Sequence, residues 1–236
     1  MSSNVFLAVQ SRLRAVRLMR FAAALVLTTL LGACAHPIAI APERRTIVEL
    51  PGPKIPATLG LHIPKEDLDL EVTTSGGGGD SVRYFPYRDL EAALALALSN
   101  VFEKVVVLRE ALAADRQRAE GLSLSMRPRL TTASGSSSAF TWPPTFFIVS
   151  LSAPFMNPDG KLVALVQESG AGNATYGEFI GARGLAGERA AADMLNKLQS
   201  RIFATPELAG PLTRPMPVKP AQSPAELPPT TPGASK

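Results

Sequence analysis

The chain has one cysteine, two histidines and one tryptophan among its 236 residues, and aromatic residues make up only 6% of it. A single thiol excludes an intramolecular disulfide framework and a thiolate zinc cluster, since both need several cysteines. His36 lies beside Cys34, and His62 has no Cys or His near it. The sequence therefore offers no ligand set, and neither a metal nor a cofactor is expected. No apolar run reaches the roughly twenty residues that a helix needs to cross a hydrocarbon core. Acidic residues are missing from the first 33 positions, which carry Arg12, Arg14, Arg17 and Arg20. From Cys34 onward basic and acidic side chains are balanced at 20 each. A nucleic-acid partner requires a basic surface to neutralise phosphates, so none is expected here.

What is present begins with three zones in residues 1–33. A basic stretch at 11–20 is followed by an apolar run of about eleven residues at 21–31, then by the small residues Gly32 and Ala33. This order reads as a secretory signal peptide, too short to span a bilayer permanently. The leading positive charges set its orientation by staying on the cytoplasmic side. The run Leu31-Gly32-Ala33-Cys34 resembles the lipobox of bacterial lipoproteins. That resemblance implies a diacylglyceryl group on the Cys34 thiol, cleavage just before Cys34, and acylation of the freed amine. The membrane would then be a partner through those acyl chains, each buried methylene contributing about 0.8 kcal/mol. Ala35, rather than Asp, follows the cysteine, which in this family implies the outer membrane with the domain facing the periplasm. The plainer alternative is an ordinary signal peptide with a chance cysteine.

Past the leader, residues 34–54 carry Pro37, Pro42, Pro51 and Pro53 and few periodic apolar positions, predicting an extended tether. At the other end, residues 208–236 read as a disordered, Pro-rich tail, with eight prolines in the last 26 residues and no aromatic ring. Its Pro217-Val218-Lys219-Pro220 string could serve as a polyproline docking peptide or simply as a solvated spacer.

The intervening 55–207 is long enough for one domain. Residues 57–63 predict a strand. Leu68, Leu70 and Val72 alternate with Asp67, Asp69 and Glu71 and predict a second, half-buried strand. A third is expected at 82–87. Over 88–102 the apolar positions Leu90, Leu94, Ala97, Leu98, Val101 and Phe102 follow helical spacing. Residues 104–108 are β-branched and predict a strand, as does the alternation of Leu122, Leu124, Met126 and Leu130. Asn157-Pro158-Asp159-Gly160 specifies a tight reversal between strands at 145–154 and 162–168. A helix at 185–203, stopped by Pro206, closes the domain. The expected class is α+β, with a mostly antiparallel sheet and two helices on one face. The short strand leading into a long Ala/Leu helix that ends Asn100-Val101-Phe102-Glu103-Lys104-Val105, and the hairpin followed by a C-terminal helix, resemble small periplasmic α+β lipoproteins of the YajG or LptE kind.

Candidate chemistry is sparse. Ser75-Gly76-Gly77-Gly78-Gly79-Asp80 lacks the Gly-Lys-Ser/Thr that opens the helix of a phosphate-binding loop and reads as a flexible connection. Gly170-Ala171-Gly172 has Thr175 where a dinucleotide fingerprint needs its third glycine. His62 is the one plausible general base, without a Gly-x-Ser-x-Gly elbow to serve. Asp67, Asp69 and Glu71 form either a carboxylate cluster or the solvated face of their strand. Phe140, Trp142, Phe146 and Phe147, with Pro143 and Pro144 between them, form the one suggestive cluster. They are either an exposed apolar lip for a partner or acyl chain, or rings capping the core.

No catalytic constellation emerges. The sequence therefore predicts a non-catalytic, lipid-anchored envelope lipoprotein whose periplasmic domain binds another envelope component, an envelope protein. A lipid- or glycan-binding accessory subunit of an envelope transport machine is the alternative, and an enzyme built on His62 the remote one.

Overall fold

The computed structural model describes residues 35–137, 142–179 and 181–209. The leader, Cys34, Phe140 and most of the Pro-rich tail lie outside the described residues. Among the described residues no helix is long and apolar enough to cross a membrane.

A strand buried on both faces reads as a near-continuous apolar run, and β2 (Ile55–His62) has that character. It lies between two parallel neighbours, β5 (Phe102–Leu108) and β6 (Leu124–Met126). Beyond them, β7 (Arg129–Gly135), β8 (Phe146–Met156) and β9 (Leu162–Asn173) add antiparallel pairs. β6 and β7 both pair with the same side of β8, whose other side is taken by β9 along its length. The single strand expected over 122–130 is thus two pieces laid end to end. The break falls at Arg127-Pro128, where proline has no N–H to give the ladder. The α+β class holds, but the sheet is mixed rather than mostly antiparallel. Period-2 alternation marks a strand without recording the direction of its neighbours.

A second, three-stranded sheet is formed by β1 (Ala35–Pro37), β4 (Ser81–Tyr84) and β3 (Val72–Ser75). Hydroxyl groups join it to the main sheet. Tyr84 Oη donates to Thr132 Oγ1 at 2.6 Å, and Thr74 Oγ1 and Ser134 Oγ lie 2.6 Å apart. The strand expected around 68–72 is instead α1 (Lys65–Leu68) and a turn, with β3 starting at Val72. Pro64 fixes the entry to α1, and Glu66 and Asp67 in its first turn favour a helix start over an alternating strand. The strand expected at 82–87 ends at Tyr84, because Pro86 opens α2 (Pro86–Val101), a first-turn position whose missing N–H costs nothing. A short α3 (Ala114–Ala119) separates β5 from β6, and α4 (Tyr176–Phe179) follows β9.

The two long helices, α2 and α5 (Leu185–Phe203), pack against each other on one face of the main sheet. α2 buries Leu90, Ala93, Leu94, Ala97, Leu98 and Val101, while α5 buries a stripe richer in alanine. Small residues let α5 approach β9 closely. A β-carbon on Gly170 or Gly172 would overlap the backbone of Ala190 or Ala186. The buried Gln199 is satisfied between the helices, accepting from Asn100 Nδ2 at 3.1 Å and donating to Asn196 Oδ1 at 3.3 Å.

The tether expected over 34–54 is not free in its described part. The Ile38 N–H donates to the Arg83 carbonyl, and the Ile40 N–H to Asp89 Oδ2, both at 3.0 Å. Ile40 and Ile47 are buried, and Asn196 bridges the Val48 N–H and the Thr46 carbonyl. Burial raises the Asp89 carboxyl above its ordinary range despite the amide it accepts. Prolines at 37 and 42 break the periodicity, which hid a strap that passes the start of α2 and runs along α5 as far as Asn196. Likewise α6 (Pro206–Ala209) carries the buried Leu208 into the stretch assigned to the tail.

Candidate functional site

Neighbouring residues on a strand face opposite sides, and that divides the aromatic cluster. Phe147 points into the core, fully buried and edge-on to Tyr84 with centroids 5.3 Å apart. It belongs to no exposed lip. Phe146 faces the other way and is 42% exposed, its ring lying over Gly135. Trp142 is half-buried at a separate place. Its ring stacks on His36 with centroids 4.1 Å apart, and the Arg183 guanidinium sits 5.2 Å from its centroid. The Trp142 carbonyl accepts the Gly77 N–H at 2.9 Å, and a β-carbon on Gly76 would overlap that carbonyl. The glycine run thus serves a close backbone approach rather than an anion.

Phe146 opens onto a larger feature, the face of β7, β8 and β9 that the helices leave uncovered. In register, Gly135, Phe146 and Asn173 form one row, followed by Ala133, Ile148 and Ala171, then Thr131, Ser150 and Ser169, then Arg129, Ser152 and Gln167. Pro154 and Leu165 pair beyond them. Ile148 is 41% and Leu165 53% exposed. Between these apolar ends the hydroxyl rows floor a shallow depression of about 570 Å³, with Ser150 Oγ 2.9 Å from Ser169 Oγ. The sequence predicts a strand over 162–168, shorter than the observed β9, and nothing in it says that the outer face stays bare.

The free edge of β9 is treated unequally along its length. Three α5 side chains one helical turn apart cap its C-terminal half: Arg189 donates to the Asn173 carbonyl, Asp193 accepts the Ala171 N–H and Lys197 reaches the Ser169 carbonyl. Covering an edge in this way prevents another chain from adding a strand there.

The remaining candidates do not converge. Asp67 receives both Arg127 Nε and Nη2, at 3.1 and 3.0 Å. Asp69 pairs with Lys65 and Arg88, and Glu71 with Arg83 at 3.8 Å. Each carboxylate has its own cation, so the three are neither a cluster nor one face of a strand. His62 lies on β2, and burial, followed by the nearby charge of Arg127, lowers its imidazole pKa. His36 pairs with Asp80 at 3.5 Å. Among the described residues no group of three His, Cys, Asp or Glu side chains could hold a metal ion. The sequence reading missed the roles of His36 and Arg183, which come from elements distant in the chain and are joined only by the fold.

No protein-family model matches the chain, and no curated protein does. Among solved structures, a Xanthomonas campestris protein of family-model DUF330 is similar at 14% identity with a TM-score of 0.47, over 73% of this chain and 94% of that one. A dodecameric PelC variant from Paraburkholderia phytofirmans is similar at 11% identity with a TM-score of 0.36, over 68% of this chain and 96% of that one. A candidate lipoprotein from Caulobacter crescentus shares 16% identity with a TM-score of 0.30, over 56% of this chain and 85% of that one.

Proposed function

We propose that this protein is a non-catalytic lipoprotein, anchored by acyl chains on Cys34 in the outer membrane and facing the periplasm, whose domain docks another envelope protein. The lipobox-like Leu31-Gly32-Ala33-Cys34 supports the anchor. The observation that carries the docking role is the bare face of β7, β8 and β9, where Phe146, Ile148 and Leu165 are exposed while Phe147, Val149, Leu151, Ala153 and Phe155 on the opposite face of β8 are buried. Large apolar side chains left open to solvent on a sheet face mark a binding surface or a liability. The hydroxyl rows and Arg129 in the depression favour a second reading, in which the same face holds a glycan and the protein is an accessory subunit of an envelope transport machine.

A photocrosslinking side chain placed at Ile148, and in a second protein at Lys197 on the helix side, tests the role in the native envelope. The docking account expects one defined protein adduct from position 148 and none from 197. An adduct to glycan from 148 would favour the second reading, and no adduct from 148 would contradict both.

A further inference from the structure

The distance between the anchor and the folded domain is set by covalent geometry. Consecutive α-carbons are about 3.8 Å apart, and Ala35, the residue after Cys34, already pairs with Ser81 in β1. The strap keeps this end in place through Ile38, Ile40 and Val48. No slack chain stands between an acylated Cys34 and the protein surface. A bilayer has about 10–15 Å of headgroup region beyond its roughly 30 Å hydrocarbon core, shared between two faces. Residues within a few ångströms of the anchor must therefore lie in that layer.

What occupies this end suits such a layer. His36 is two residues from the anchor and stacks on Trp142, the one tryptophan of the chain. Indole rings favour the bilayer interface, where one part is apolar and the other wet. Arg183 is exposed beside the Trp142 ring and forms no ion pair among the described residues. A guanidinium so placed is free to pair with a lipid phosphate.

We propose that the patch of His36, Trp142 and Arg183 is a bilayer-contact surface, recognising phosphate-bearing lipid headgroups and fixing the domain's orientation on its membrane. This rests on the acylation of Cys34 proposed above. Several acyl chains bind far more strongly than one ring and one cation, so the patch orients the domain and does not hold it there. The readout must accordingly be orientation and not membrane affinity.

The single tryptophan supplies that readout. The full-length protein, processed by its host and extracted from membranes, is reconstituted into phosphatidylcholine vesicles with or without bromine on the acyl chains. Intact mass and flotation are measured on the same sample. The expected result is an acylated, vesicle-bound protein whose Trp142 emission is largely lost in the brominated vesicles. In an Asp159→Cys variant carrying a thiol-linked fluorophore, which leaves Trp142 in the patch, the second reporter sits at the far tip of the β8–β9 hairpin, about 35 Å along an eleven-residue strand, and its emission should persist. Acylated, bound protein with unquenched Trp142 would overturn the proposal alone and leave the patch for a protein. Equal quenching at both positions would also overturn it, since contact would not be particular to this patch. A chain without acyl mass would overturn the anchoring reading first.

Discussion

Glu178 shows how much one half-buried side chain can organise. Its carboxylate accepts from Arg189 Nη2 at 2.6 Å and from the Thr175 N–H and hydroxyl at 2.8 Å each, while Arg189 also donates to the Asn173 carbonyl at 2.7 Å. The Arg189 hydrogen bond, followed by the two from Thr175, holds the Glu178 carboxyl down to about 2, against an ordinary 4.5. A folded-state pKa below the unfolded value means that the stabilising contribution is complete above the ordinary value. It is lost as the pH falls through the folded one. Glu178→Gln should therefore melt below the wild type at pH 7, with the gap closing as the pH falls from 4.5 towards 2. A gap that does not vary with pH would contradict this assignment. The sequence around 175–189 announces none of it, because the partners meet only when α4, α5 and the end of β9 are in place. Trp142 and Phe147 teach the same lesson. Composition marked the aromatic cluster as unusual, yet only strand direction decides which ring is core and which is surface. Phe140 lies outside the described residues.

At the level of elements, legibility followed the strength of the period. The hairpin around Asn157–Gly160 and both long helices are visible in the sequence because turn chemistry and a 3.6-residue apolar stripe are local signals. The start of the strap was illegible because what fixes it is non-local: β1 pairs with β4, and Asn196 reaches back across 150 residues to Thr46. The parallel pairing of β2 was hidden for the same reason. Gly170 and Gly172 show a local signal with a non-local meaning. They read as a failed nucleotide motif, and in the fold they are the floor on which α5 rests. A side chain at Gly172 meets α5 backbone, which cannot rotate away. Gly172→Val should therefore destabilise the domain by about 3 kcal/mol, at the upper end of overpacking costs. Gly177, whose β-carbon would meet nothing within 4 Å, is the control. Ala there should change stability by less than about 1 kcal/mol. Urea unfolding of the two variants checks the pair, and equal effects would mean that α5 can slide on β9.

At the scale of the whole molecule, the N-terminal strap connects an inferred address to a fold. The sequence separates a lipobox-like leader, a tether and a domain. The fold removes the distinction between the last two, so that whatever Cys34 carries is carried by the domain itself. The open sheet face and the His36–Trp142–Arg183 patch are then different surfaces of the same domain, the second at the chain end that follows Cys34. That arrangement depends on Cys34 being the first residue of the mature protein and on its acylation. The most direct measurement is the intact mass of the protein extracted from membranes, wild type beside Cys34→Ala. The account predicts a wild-type chain beginning at Cys34 with added acyl mass, and a variant without that mass that is lost from the membrane fraction. A wild-type chain that is soluble, with Cys34 unmodified or removed, would contradict it.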